Sequence, residues 1–295
     1  MATFRGSYTV MVTPFDEALR VDEPRLRAFV DWQIEQGVQG LIPLGSTGEF
    51  LSLTREERRL VAATVIDQAR GRVPVIVGTA AEWTDEAVSL SREAEELGAD
   101  GVMVVPPYYS SPTDEELFVH YRRIGEALSI PVMVYNNPNT ANVDLSASLV
   151  ARLSEIDNIS YIKESSGSVS RTMDIIRLCG DRIIVFAGYD AWESYRVGAQ
   201  GYVSVFSNIA PALSTQLFKL TVDEGDGEAG RQLYHRILPL LQALSGDLYV
   251  SATKAALAMI GQPVGSPRPP RLPLPETKTA SLRQVLDGMG LIAAS

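Results

Sequence analysis

The sequence predicts a (β/α)8 barrel of the TIM type followed by a helical C-terminal extension, and three observations carry that prediction. Eight short apolar runs recur through the first two thirds of the 295-residue chain: 8–13, 40–44, 74–78, 101–105, 131–135, 159–163, 183–187 and 202–206. Their starts lie roughly 20 to 35 residues apart, the length of a strand plus a crossover helix. The stretches between them open like helices, with Pro24 after Asp22, Glu56-Glu57 after Thr54, and the pairs Thr84-Asp85-Glu86 and Thr113-Asp114-Glu115, since an acidic first turn suits a helix N-terminus. The third observation is a weak repeat, Gly37-x-x-Gly40, Gly98-x-x-Gly101 and Gly198-x-x-Gly201, each sitting between a helix and the next apolar run. A glycine just past a helix end takes the left-handed conformation that stops it, and the second glycine is expected to let the strand begin close to that helix.

Taken in order, these elements fill residues 1–210 as the barrel core. A doubly wound sheet is the competing arrangement, but it calls for a Gly-rich phosphate turn after the first strand, and Thr13-Pro14-Phe15-Asp16 stands there instead. Beyond Ala210 the strand signal ends. Residues 213–222, 227–244 and 248–260 read as helices, residues 265–275 with their five prolines as an extended connector, and residues 276–289 as a last helix. Residues 211–295 thus supply the final barrel helix and a C-terminal helical extension, which serves as a cap on the barrel or as an oligomer contact.

Composition narrows the function. With 45% hydrophobic and 21% charged residues the chain has the balance of a globular protein. The formal net charge of −10 disfavours nucleic acid and anionic membranes as partners. One cysteine, Cys179, allows neither an intrachain disulfide nor a Cys-based zinc site. Two histidines, both inside helical patterns, leave little for a metal centre or a Ser–His hydrolase. No apolar run is long enough for a membrane span, and no signal-peptide pattern opens the chain, so a cytoplasmic location is expected.

In this architecture the C-terminal strand ends open on one face, where active sites lie. Collected there are Gly45-Ser46-Thr47-Gly48-Glu49, Pro107-Tyr108-Tyr109, Tyr135-Asn136-Asn137-Pro138, Lys163-Glu164-Ser165 and Gly188-Tyr189-Asp190. Lys163 stands out, being one of four lysines among 26 basic residues and the only one at the end of a strand-like run. Arginine keeps its proton in a protein, whereas a desolvated ammonium loses one. The neutral amine adds to ketones and forms a Schiff base. An edge lysine reaching water is the plainer alternative. Glycines flanking Ser46-Thr47 let backbone N–H groups converge on an anion such as a carboxylate, although the same motif also serves as a simple turn. Tyr108-Tyr109 fits loop packing, Tyr135 fits barrel core, and Asp190 fits a helix cap. Together, an anion nest, an amine nucleophile and a tyrosine that can carry protons suit a 2-oxo acid.

These five motifs, collinear over essentially the whole chain, resemble the dihydrodipicolinate synthase / N-acetylneuraminate lyase family of class I Schiff-base aldolases. The resemblance implies that Lys163 forms the imine with pyruvate or a related 2-oxo acid and that Tyr135 moves protons near it. It implies that Ser46 and Thr47 receive the carboxylate, with Thr47 also linking Tyr135 to Tyr109. Tyr109 corresponds to a tyrosine inserted from a neighbouring subunit, so a homodimer or homotetramer is expected. Gly188 and Val203 correspond to backbone positions lining the pocket. No metal and no other cofactor is implied.

Two departures bear on the substrate. Where dihydrodipicolinate synthases carry an arginine that grips the second substrate's carboxylate, this chain has Thr140; where sialic acid lyases have Asp-Glu after Gly-Tyr, it has Asp190-Ala191. The main expectation is therefore an aldolase or dehydratase acting on a 2-oxo acid such as a 2-keto-3-deoxy sugar acid, with Thr140 and Asp190 on the substrate side. The alternative is 4-hydroxy-tetrahydrodipicolinate synthase, which joins pyruvate to aspartate semialdehyde. A third reading, a non-catalytic 2-oxo acid binder, has no use for the proton-carrying tyrosines.

Overall fold

The computed structural model describes residues 3–292. Eight strands, β1 (Gly6–Val10), β2 (Gly40–Ile42), β3 (Ile76–Gly78), β4 (Gly101–Val104), β5 (Val132–Asn136), β6 (Ile159–Glu164), β7 (Ile184–Ala187) and β8 (Gly201–Ser204), form one sheet. Their order is β2-β1-β8-β7-β6-β5-β4-β3, and the neighbours whose register is resolved run parallel. Seven helices follow the first seven strands: α1 (Glu23–Glu35), α2 (Arg55–Ala69), α3 (Thr84–Glu96), α4 (Asp114–Gly125), α5 (Ala147–Leu153), α6 (Val169–Cys179) and α7 (Ala191–Arg196). The predicted (β/α)8 architecture is the one observed. After β8 come α8 (Pro211–Phe218), α9 (Gly227–Ala243), α10 (Tyr249–Met259) and α11 (Glu276–Gly288), with residues 219–223 continuing α8 as a π-helical turn.

The boundaries moved by a few residues for identifiable reasons. The second run stops at Ile42 because Leu44 is left-handed, with φ at 62°. The third starts at Ile76 rather than at Pro74, which has no N–H for the ladder. The eighth ends at Ser204, and Phe206 goes into a 3-10 turn. Helix starts followed the sequence at Asp22, Thr54 and Thr113, whose side chains cap α1, α2 and α4, the last two as capping boxes with Glu57 and Glu116. At α3 the cap position is Trp83, and the Thr84 hydroxyl pairs instead with His120 Nδ1 at 2.9 Å.

The Gly-x-x-Gly repeat has a different second half from the one expected. Gly37, Gly98 and Gly198 are left-handed, with φ of 85°, 92° and 112°. The second glycines make room for aromatic rings rather than for a helix. A Cβ at Gly40 would fall 2.0 Å from the Tyr8 ring, at Gly201 2.2 Å from Phe186, and at Gly101 3.1 Å from Phe4.

The described residues divide into two compact units. One comprises the chain up to Gly6 with Pro74–Val203, and so holds β3 to β7 with α3 to α7. Its centre stacks Phe4 on Tyr161 (centroids 4.9 Å apart), with Phe186 edge-on to Tyr161 at 6.1 Å. The other comprises Ser7–Val73 with the chain from Ser204 onward, and so holds α1, β2, α2 and α8 to α11. There Ser7, Ser207 and Ser214 share buried hydroxyl contacts (3.1 and 2.6 Å), and Gln33 joins Thr9 to the Asn208 carbonyl.

Candidate active site

In the first unit, β5 and β6 pair with a one-residue irregularity after Val132, beyond which Tyr135 stands opposite Lys163 and Asn136 opposite Glu164. On the other side of β6, Lys163 is in register with Phe186 of β7. Register partners in parallel strands share a face, so two aromatic side chains flank the lysine. The ammonium lies 3.7 Å from the centroid of the Tyr135 ring, and Lys163 is only 5% exposed. Glu164 is its sequence neighbour, but the alternation of a strand sends that carboxylate to the opposite face. There it accepts from Asn136 Nδ2 (3.0 Å) and from the Ser166 N–H (2.7 Å). Among the described residues no carboxylate pairs with Lys163. Burial therefore draws its pKa down to about 7, which leaves a large share of neutral amine at physiological pH.

The loop after β5 is anchored on the face that Glu164 occupies. Asn136 uses both ends of its amide: Nδ2 donates to Glu164 and Asp144, each at 3.0 Å, and Oδ1 accepts the Leu145 N–H. Arg171 grips Asp144 through two bonds (2.9 and 3.0 Å) and holds that carboxyl below its usual range. Asn137 behaves differently. Its Nδ2 donates to the Tyr135 hydroxyl at 2.8 Å, while its buried Oδ1 has no partner among the described residues. Further along, Thr140 is exposed, and its hydroxyl approaches only the Asn137 carbonyl, at 3.5 Å. No lysine or arginine occurs from 124 to 151, so this loop carries no cation of its own.

Gly188 follows β7 and donates its N–H to the Glu164 carbonyl at 2.7 Å. A Cβ there would fall 1.7 Å from Ser165 Oγ, so only glycine fits. Val203 is buried in β8. Asp190 takes the first position before α7 in the left-handed region (φ 46°), but its side chain does not cap that helix. Burial raises its carboxyl pKa. Burial, and secondarily Tyr135, raise the neighbouring Tyr189 phenol. Tyr109 is 85% exposed. Its loop is nonetheless held, because the Glu82 carboxylate accepts three successive N–H groups from Tyr108, Tyr109 and Ser110 (2.8, 3.0 and 2.9 Å). The Asn142 side chain fixes the Tyr109 carbonyl at 2.6 Å.

Ser46 and Thr47 belong to the second unit, where a 3-10 turn runs from Ser46 to Gly48. Their N–H groups have no acceptor among the described residues, as an anion nest requires. The turn is braced from behind. Thr13 Oγ1 donates to the Gly48 carbonyl at 2.8 Å. Left-handed Glu49 is buried, with Oε1 2.8 Å from the Lys254 ammonium and Oε2 accepting the Arg268 N–H at 2.9 Å. Lys254 also donates to the carbonyls of Thr13 and Ser266, and Arg268 makes two bonds to Glu57. The Phe15 ring lies against both cations, 4.1 and 4.4 Å from its centroid. The proline-rich connector is thereby pinned to the loop that carries Ser46 and Thr47.

Sequence reasoning gave Glu82 and Lys254 no place at the site, and named Asn137 and Ser165 only as members of their strand-end motifs, without a role. Glu82 lies in a polar stretch with no motif, and Lys254 in a helix pattern. Only the fold shows that each is buried or placed against a functional loop. Among the described residues no group of three or more His, Cys, Asp or Glu is arranged to hold a metal.

A desolvated lysine with no carboxylate partner among the described residues, at a strand end of a (β/α)8 barrel and beside a tyrosine, suits Schiff-base chemistry. The model of the Dihydrodipicolinate synthetase family matches residues 3–289, and the chain belongs to that family. It is 41% identical over 292 residues to a 4-hydroxy-tetrahydrodipicolinate synthase of Syntrophobacter fumaroxidans, covering 98% of this chain and 100% of the relative. A crystal structure of the chloride-inhibited dihydrodipicolinate synthase of Acinetobacter baumannii, complexed with pyruvate, superposes with a TM-score of 0.96 at 37% identity, over 98% of this chain and all of that one. A monomeric dihydrodipicolinate synthase variant superposes with a TM-score of 0.93 at 33% identity, over 98% of both chains. The protein is thus a class I Schiff-base lyase, whose chemistry needs a covalent lysine imine and no metal. These relatives favour the synthase reading over the sugar-acid reading.

Proposed function

We propose that Lys163 is the imine-forming lysine and that the enzyme is a 4-hydroxy-tetrahydrodipicolinate synthase, condensing pyruvate with aspartate semialdehyde. The observation that carries the mechanism is Lys163 itself, buried with no carboxylate partner among the described residues and with its pKa drawn to about 7. Its neutral nitrogen adds to C2 of pyruvate, and loss of water leaves the imine. Removal of a C3 proton gives the enamine, which attacks the aldehyde carbon. Tyr135, with its ring against the ammonium, is suited to carry these protons. From the resemblance, Ser46 and Thr47 receive the pyruvate carboxylate, and the backbone at Gly188 and Val203 lines the pocket. The exposure of Tyr109, on its Glu82-held loop, supports its presentation to a second copy of the chain in a homodimer or homotetramer, and a cytoplasmic location is part of the same reading. No helix among the described residues is long and apolar enough to cross a membrane.

The first test is chemical trapping. Pyruvate with borohydride should add one reduced pyruvyl group to the peptide holding Lys163, and labelling elsewhere in an active preparation would overturn the assignment. Chelators should leave activity unchanged.

Thr140 favours a second reading. An arginine there would grip a carboxylate through two charge-assisted bonds, whereas the threonine offers one neutral hydroxyl. Thr140 and half-buried Asp190 suit a hydroxylated tail, as in a 2-keto-3-deoxy sugar acid handled by an aldolase or dehydratase. Comparing kcat/KM for the two substrate types on one preparation decides between them. On the second reading, Thr140→Arg should raise use of aspartate semialdehyde by roughly ten- to a hundredfold, since bonds to charged groups contribute about 1.5–3 kcal/mol. A wild-type enzyme that already prefers aspartate semialdehyde removes that reading.

A further inference from the structure

Asn136 and Asn137 are adjacent, both buried, and differently used. Asn136 spends both ends of its amide on the protein and ties the loop after β5 to Glu164, Asp144 and Leu145. A structural amide behaves this way, because a buried donor or acceptor left without a partner is destabilising. Asn137 is 4% exposed, yet its side chain makes one protein bond, from Nδ2 to the Tyr135 hydroxyl at 2.8 Å, and its buried Oδ1 has none. Ser165 Oγ, two residues beyond Lys163, is a second buried polar atom without a partner. The Ser165 N–H bonds the Asn136 carbonyl, so both orphaned groups belong to the paired ends of β5 and β6 that carry Tyr135 and Lys163. The Asn137 side chain therefore does little to hold the loop, and the one group it addresses is the oxygen proposed to move protons.

We infer that Asn137 is a positioning residue for proton transfer at Tyr135, which extends the Schiff-base reading above and rests on it. A phenol oxygen that accepts the Asn137 N–H keeps its own proton aimed away from that amide. When the phenol is ionised, the same bond becomes charge-assisted and stronger. In the step concerned, the C3–H bond of the lysine-bound pyruvate breaks and its electron pair forms C2=C3. The C2=N π pair of the protonated imine returns to the Lys163 nitrogen, leaving a neutral enamine, and the C3 proton passes to the ionised Tyr135 oxygen. Asn137 touches no reacting atom in this step. It holds the acceptor in place and favours the form that accepts.

The experiment is the exchange of pyruvate C3 protons for deuterium in D2O, followed by proton NMR, which needs no aldehyde partner. Asn137→Val should slow exchange by about ten- to a hundredfold, within the range for general acid–base groups. Borohydride trapping at saturating pyruvate should stay within about twofold of wild type, because imine formation belongs to Lys163. Asn137→Gln, which restores a donor, should recover part of the exchange, and Asn137→Ala replaces the valine variant should that one fail to fold. Exchange within twofold of wild type in the donor-less variant would overturn the inference, and so would a parallel loss of trapping and exchange with a lowered Tm. A wild-type enzyme that exchanges pyruvate protons without trappable imine would instead sink the Schiff-base reading on which the inference stands.

Discussion

Two of the four lysines are exposed, Lys219 and Lys278, and two are buried, Lys163 on β6 and Lys254 on α10. Both buried ammonium groups lie against an aromatic ring, Tyr135 for one and Phe15 for the other. Burial pulls both pKa values down. For Lys254 the Glu49 carboxylate at 2.8 Å opposes that pull and the value stays at about 8; for Lys163 no carboxylate among the described residues opposes it and the value falls to about 7. Lys254 also donates hydrogen bonds to two backbone carbonyls, at 3.0 and 3.2 Å. Depth of burial is therefore not what makes a lysine chemical. The two differ in compensation. A compensated ammonium stays charged and becomes part of the frame, while an uncompensated one is available as a nucleophile at the expense of stability.

The largest effect expected from this contrast is on turnover. Lys163→Met should abolish borohydride trapping and lower kcat/KM on the order of 10^6-fold, the scale on which removal of a covalent nucleophile is felt. In Lys254→Met, measured where the variant remains folded, trapping at Lys163 should persist. Intact-mass and peptide analysis of the trapped species reads both. If the Lys254 variant lost trapping at full occupancy of folded protein, the division of labour between the two lysines would be wrong.

Stability should change in the opposite sense. Removing one partner of a buried ion pair leaves the other charge unpaired, which costs about 3–5 kcal/mol. Lys254→Met should fall near the lower end, since the Arg268 N–H still serves Glu49 Oε2. Chemical denaturation measures it, and the double variant Lys254→Met/Glu49→Leu should recover part of the loss. A cost under about 1 kcal/mol for the single change would mean that the pair does not brace the connector.

The sequence made the strand-end lysine legible because strands alternate and lysine is scarce in this chain. The period of two puts Lys163 on the Tyr161 face of its strand, and the helix ends place the left-handed Gly37, Gly98 and Gly198. What it could not supply was long-range pairing. Phe186 stands beside Lys163 through β6–β7 register, and Lys254 reaches Glu49 across 205 positions of sequence (254 − 49). The second glycines were misassigned for the same reason, because the rings that occupy their space belong to other segments. The bond from Asn137 to Tyr135 depends on a side-chain orientation that spacing does not fix.

The smallest effect separates the two lysines by pH. In the unfolded chain Lys163 titrates near 10.4, but in the folded protein near 7. Between those values the unfolded chain holds a proton that the folded one has released, so raising the pH favours folding. Below pH 7 both states are protonated, and the wild type bears the whole cost of a buried ammonium. Lys163→Met should then be more stable than wild type, by about 1–4 kcal/mol. From pH 7 upward the gap should close by up to about 1.4 kcal/mol per pH unit, or roughly 1–3 kcal/mol by pH 9. Lys254 is present in both proteins, so its own titration cancels in the difference. Urea unfolding of the pair at pH 6, 7.5 and 9 provides the comparison. A gap that stays constant from pH 6 to 9 would show that Lys163 titrates as it does in the unfolded chain, and that the nucleophile is prepared by something other than its burial.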